Sequence, residues 1–150
     1  MKEDSKSRSL SVVILVTNID APTGGVQRNT RLLMKEFGKR GVVTFVCLRN
    51  YYGLPSNETV DGTVFHRSPV FGNSMAINGI VYLADTLIWL IRNRNKYDVI
   101  QCQQMFGPTM AAAVASFAVK KPIVTRVTTS GLLGEVHFIR KMAFSRLRLW

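Results

Sequence analysis

The sequence predicts an α/β domain, a doubly wound and mostly parallel sheet with helices on its faces. Two observations lead there. Short β-branched runs without apolar–polar alternation, such as Ser11 to Thr17 (SVVILVT), have the pattern of strands covered on both faces. Between these runs lie segments with helical periodicity, and strands alternating with helices imply right-handed βαβ crossovers.

The elements follow in order. Ser11 to Thr17 is a strand, expected at the centre of the sheet. The loop Asn18-Ile19-Asp20-Ala21-Pro22-Thr23-Gly24-Gly25 follows, and then Val26, Thr30, Leu33 and Phe37 recur at helical spacing up to Gly41. Val42 to Leu48 reads as a second strand, Tyr51 to Thr59 as loop, and Val60 to Arg67, opened by Asp61-Gly62, as a third strand. Ile77 to Asn95 is a helix apolar nearly all round. Its most apolar window, Ile77 to Ile91, is shorter than a bilayer span and carries Asn78 and Asp85, which favours a buried or surface-packed helix over a transmembrane one. Tyr97 to Cys102 is a short strand. Pro108 to Val119 is an alanine-rich helix with proline where a first turn tolerates it, ended by Lys121-Pro122. Ile123 to Val127 is a further strand, Thr128 to Gly131 a polar loop, and Leu133 to Trp150 a last helix. Neither an internal repeat nor a low-complexity stretch interrupts the series.

With 150 residues and 47% apolar composition, one core is expected over residues 11–150. Residues 1–10, where Lys2, Lys6 and Arg8 mix with Glu3 and Asp4, read as a disordered tail. No long uncharged apolar stretch follows them as a secretory signal requires, and the expected location is cytoplasmic. Cys47 and Cys102 lie inside strand-like runs, where a thiol behaves as a small buried hydrophobe.

Net charge is +11, from 20 Lys and Arg against 9 Asp and Glu. Such a surface attracts anions, whether nucleic acid, anionic lipid or phosphorylated substrates; the alternative is a solvated basic face with no specific partner. The excess is concentrated from Lys120 onward. The last helix sets Val136, Ile139, Ala143, Leu147 and Trp150 near one side, so it either rests on an anionic membrane surface, at the inner face of a membrane, or packs on the sheet or another domain. Packing is favoured, because Phe138 and Phe144 spoil a clean polar face. A specific nucleic-acid module is disfavoured, since Tyr51, Tyr52, Trp89 and Phe106 form no stripe interleaved with the basic residues.

In an open α/β sheet the ligand crevice lies beyond the carboxyl ends of the strands, so the loops after Thr17, Cys102 and Val127 should share one rim. Gly24-Gly25 opens a helix there, and free amides with the helix dipole favour an anion such as phosphate, unless the pair is a simple tight turn. G-x-G-x-x-G is missing after the first strand, the second strand ends in Leu48-Arg49-Asn50 instead of the acidic residue that holds a ribose, and G-K-[ST] is missing too; ordinary NAD binding and a P-loop are disfavoured. His66 and His137 have no Cys, Asp or Glu at metal-ligand spacing, so a metal site is not expected. A nucleophile elbow is also missing.

The ordered set of first strand, Pro22-Thr23-Gly24-Gly25-Val26-Gln27-Arg28 and helix, later Tyr97-Asp98-Val99-Ile100 and Lys121-Pro122-Ile123-Val124-Thr125, resembles the amino-terminal half of a family 4 (group 1) glycosyltransferase of the GT-B fold. That resemblance covers nearly the whole chain from Val12 and implies one Rossmann-like half of a two-domain enzyme. Such an enzyme moves a sugar from a nucleotide-sugar donor to a glycan or lipid-linked acceptor with retention, the nucleotide-sugar being a co-substrate and no cofactor being needed. By the resemblance, Gly24 and Gly25 face the donor phosphates, while Gln27, Arg28, Gln103, Thr128 and Glu135 lie on the acceptor side. Where the family often has D-V-x-H-x-H, this chain has Asp98 to Gln103, and Gln103 hydrogen-bonds a hydroxyl but supplies no acid or base. Thr128 stands for another family histidine, and Gly131 to Glu135 (GLLGE) is a glycine–acid variant. The resemblance also implies that the carboxyl-terminal donor domain is absent from these residues, and that the chain alone transfers nothing. Two alternatives remain: a non-catalytic α/β module binding an anionic small molecule or a partner protein, and a divergent NADP-binding domain using Arg49.

Overall fold

The computed structural model describes residues 9–20 and 24–128. In chain order the elements are β1 (Ser11–Leu15), α1 (Gly25–Lys39), β2 (Val43–Arg49), β3 (Asn57–Val60), β4 (Thr63–Ser68), α2 (Met75–Arg92), β5 (Val99–Cys102), α3 (Pro108–Val119) and β6 (Ile123–Thr125). They build one mixed, mostly parallel six-stranded sheet in the order β3-β4-β2-β1-β5-β6, a Rossmann-like α/β fold. β1 is central, parallel to β2 on one side and to β5 on the other. Its five residues are all buried, as an unalternated apolar run requires.

Side-chain alternation along the strands divides the core in two. Val12, Ile14, Val16, Val46, Leu48 and Phe65 face α1, which contributes Val26, Leu33, Met34 and Phe37. On the other face Val13, Leu15, Cys47, Ile100 and Cys102 meet Leu90, Ala112, Ala115 and Val119 of the α2–α3 layer. The small alanine side chains of α3 bring that helix close to the sheet. Ser74 caps α2, its hydroxyl accepting from the Ile77 amide at 3.4 Å. Lys120 closes α3 in the left-handed region at φ 52°.

The reading of Tyr51 to Thr59 as loop, and of Val60 to Arg67 as one strand, is corrected. Asn57–Val60 forms an antiparallel edge strand, and Asp61 (φ 49°) and Gly62 (φ 77°) make the two-residue turn of a hairpin. Val60 therefore ends the first arm and pairs with Thr63. β3 is solvent-facing at the sheet margin, so it needs no apolar alternation, and its Asn-Glu-Thr-Val sequence carries no strand signal.

Candidate functional site at the carboxyl rim

The chain winds away from β1 in one direction, α1 leading to β2, and α2 then carries it from β4 back across to β5 on the other side of β1. The sheet order therefore reverses between β1 and β5, and the crevice opens beyond their carboxyl ends. There the loops are stitched together. The Thr17 amide and hydroxyl donate to Gln104 Oε1 at 3.2 and 2.6 Å, the Gln103 amide donates to Leu15 O at 3.0 Å, and the Arg126 amide donates to Cys102 O at 2.9 Å. The segments after β1, β5 and β6 thus share one rim.

α1 starts at this rim. Gly24 is its N-cap at φ 136°, a conformation that L side chains rarely adopt, and among the described residues no side chain caps the helix. A Cβ on Gly24 would lie 2.0 Å from Gln27 Oε1, because the half-buried Gln27 side chain folds back over it. A Cβ on Gly25 would meet nothing within 4 Å. Both glycines are exposed at the positive end of a 15-residue helix. Arg28 is exposed one turn further on.

A groove of about 550 Å³ runs between α1 and the β5–β6 edge, with Asn29, Leu33 and Glu36 on one wall and Gln101, Gln103 and Arg126 on the other. Gln103 is only 1% exposed, and its Oε1 is the only buried side-chain oxygen or nitrogen among the described residues without a hydrogen-bond partner. Leaving a buried acceptor unpaired costs about 1–3 kcal/mol, so this atom is poised for a donor such as a hydroxyl or N–H. At the far end, a hydrogen bond from Lys39 at 2.6 Å lowers the pKa of Glu36. Thr128 follows β6 half-exposed, whereas Glu135 and the last helical stretch lie outside the described residues.

The rim also contains an arginine cluster that sequence reasoning missed. Arg67, 4% exposed at the end of β4, donates to both Asp20 oxygens at 3.3 and 3.2 Å, to Glu58 at 2.8 Å and to Pro55 O at 3.2 Å. Burial opposes the charged guanidinium, but hydrogen bonds and charge from Asp20 and Glu58 outweigh it and hold Arg67 above its ordinary pKa. This ties the β1–α1 loop to the hairpin. The partners lie 47 and 9 residues away, and no motif spacing links them. Arg49 donates to Met75 O at 3.1 Å and lies 4.8 Å over the Tyr51 ring.

His66, without a partner in sequence, gains one in space: its Nε2 lies 2.7 Å from Asp85 Oδ2 on α2 and its Nδ1 lies 3.0 Å from Asn57 Oδ1. The ring stacks on Trp89, which stacks in turn on Tyr97. Burial pushes both thiols up, Cys47 strongly and Cys102 less, the latter offset by Thr109 and Thr125. Neither is an activated nucleophile.

A Rossmann-like sheet with an open crevice at its switch point and a glycine-started helix facing it defines a class of ligand-binding α/β domain. Over residues 24–150 the chain matches the glycosyl transferase 4-like domain, and it belongs to that family as an amino-terminal-type domain of the group 1 glycosyltransferases. The matched span opens at the helix-capping glycine, one loop after the central strand. No curated protein matches the chain.

Proposed function

We propose that this chain is the acceptor-side domain of a retaining glycosyltransferase, receiving a glycan or lipid-linked acceptor while a second domain holds most of a nucleotide-sugar donor. The observation that carries this reading is Gln103, whose buried Oε1 has no partner and which lines the groove between α1 and the β5–β6 edge. A sugar hydroxyl is the donor it fits. The uncapped amides after Gly24 suit the donor phosphates, and Gln27 and Arg28 stand beside them. Gln103 neither gives nor takes a proton at neutral pH, so its part is to orient the acceptor. Proton transfer then falls to the donor, the acceptor or the other domain, and the chain by itself is expected to transfer nothing.

Nuclear magnetic resonance of the ¹⁵N-labelled chain tests this. Titration with UDP- and GDP-sugars should shift the Gly24 and Gly25 amides, and titration with oligosaccharides should shift the Gln103 side-chain and backbone amides, the backbone response being lost in Gln103→Leu. Shifts confined to other surfaces would overturn the reading. Sugar transfer by the chain alone would overturn the division of labour between two domains.

A further inference from the structure

The layer opposite α1 has an outer surface of a different kind. α2 turns Tyr82, Thr86 and Leu90 inward, and sends Ile77, Ile80, Ala84, Ile88 and Ile91 outward at steps of three and four residues. Ile80 is 69% exposed. α3, packed along α2, buries Ala111, Ala112, Ala115 and Val119 and exposes Met110, Val114 and Phe117, the last at 87%. Val70, Phe71, Met75 and Phe106 extend this surface toward the carboxyl rim. An apolar surface of this breadth marks an interaction site.

Its charge is one-sided. Both helices run antiparallel to the strands and end at the amino edge, where Arg92, Arg94, Lys96 and Lys120 are exposed and Lys121 is half-exposed. Arg92 continues the Ile80-Ala84-Ile88 row by one more step of four, and Lys120 and Lys121 lie three and four residues beyond Phe117. Between residues 69 and 128 the carboxylates are Asp85 and Asp98. Asp85 meets His66, and Asp98 meets Ser11 and Lys121.

We propose that the outer face of the α2–α3 layer rests on an anionic lipid bilayer, its apolar rows in the acyl–headgroup boundary and its basic end against lipid headgroups. Exposed apolar rows that run into cations are the pattern of an interfacial helix pair. A second copy of the chain is disfavoured as occupant, because each copy carries a formal charge of +11. α2 is long and apolar enough to cross a membrane, but both its ends lead into strands of the sheet. Tyr82 Oη donates to Val16 O at 3.3 Å and Asp85 holds His66, so the helix lies along the surface.

Co-sedimentation with vesicles tests this. The chain should pellet with phosphatidylcholine vesicles containing phosphatidylglycerol and stay in solution with phosphatidylcholine alone, and binding should fall about tenfold or more on raising the salt from low to several times physiological. Ile80→Glu and Phe117→Glu should each reduce binding about tenfold with unchanged circular dichroism. Thr59→Glu, on the edge hairpin and equal in charge change, should bind like the parent. Arg92→Glu with Lys120→Glu should abolish the preference for anionic lipid without touching an apolar side chain. Absence of binding by the parent chain, or equal loss in Thr59→Glu, would overturn the proposal. So would a dimer in analytical ultracentrifugation that Phe117→Glu dissolves, since the face would then belong to a second copy.

Discussion

At the amino edge of the sheet, Asp98 Oδ2 accepts from the Ser11 amide at 3.0 Å and hydroxyl at 2.8 Å, the Asp98 amide returns a bond to Ser11 O at 2.8 Å, and Lys121 Nζ lies 3.9 Å away. At the carboxyl edge the neighbouring strands end differently. β1 and β5 are joined there through Thr17 and Gln104, yet the adjacent Gln103 keeps a buried oxygen unpaired and α1 begins without a side-chain cap. One end of the strands is closed by complementary groups and the other is left with unmet hydrogen-bonding capacity. Since an unpaired buried polar atom is costly, Gln103 is a point at the carboxyl edge where stability is given up that Asp98 and Ser11 keep at the amino edge.

The sharpest way to break this contrast is Asp98→Ala. It strips the buried Ser11 of its acceptor and should lower stability by about 2–3 kcal/mol in urea denaturation. A loss near zero would mean that the amino edge is not the closed end. Next comes alkaline pH. Burial raises Tyr97 to about 12, with its hydroxyl bonded to Leu90 O at 2.8 Å, and pushes Tyr82 well up. The folded state holds these protons more tightly than the unfolded chain, so the stabilisation is complete below about pH 10 and is lost as pH rises through about 12. Urea midpoints measured across that window should fall, and Tyr97→Phe should flatten the decline.

Gly24→Ala probes the carboxyl edge through its backbone. The positive φ and the approach of Gln27 should cost about 1–2 kcal/mol, a loss that Gln27→Ala relieves only in part because the backbone strain persists. Gln103→Leu should have the smallest effect on folding, within about 0.5 kcal/mol or slightly stabilising, because it removes an acceptor that has no partner. A large destabilisation would show that the Gln103 side chain serves the fold instead of a ligand.

Much of the architecture was legible in the residues. SVVILVT marked a doubly covered central strand, Pro108 and Lys121-Pro122 bracketed α3, and Gly24-Gly25 marked where α1 begins. β3 was not legible, because an exposed edge strand needs no apolar period. The Arg67–Asp20–Glu58 cluster was not legible either, since its members meet only when the hairpin folds beside the β1–α1 loop. The exposure of α2 was left open, because a helix apolar nearly all round does not say which side the sheet covers.

By itself, then, the sequence determined the alternation of buried strands and helices apart from the edge strand β3, the centrality of β1 and the glycine start of α1, since these rest on local periodicity and backbone freedom. Tertiary structure alone decided which polar groups find partners. It paired Asp98 with Ser11 and His66 with Asp85, left Gln103 Oε1 unsatisfied, and turned the isoleucines of α2 away from the core. The physical reason is that satisfaction and burial are properties of what lies within a few ångströms in space, and parallel crossovers bring together residues that are far apart along the chain.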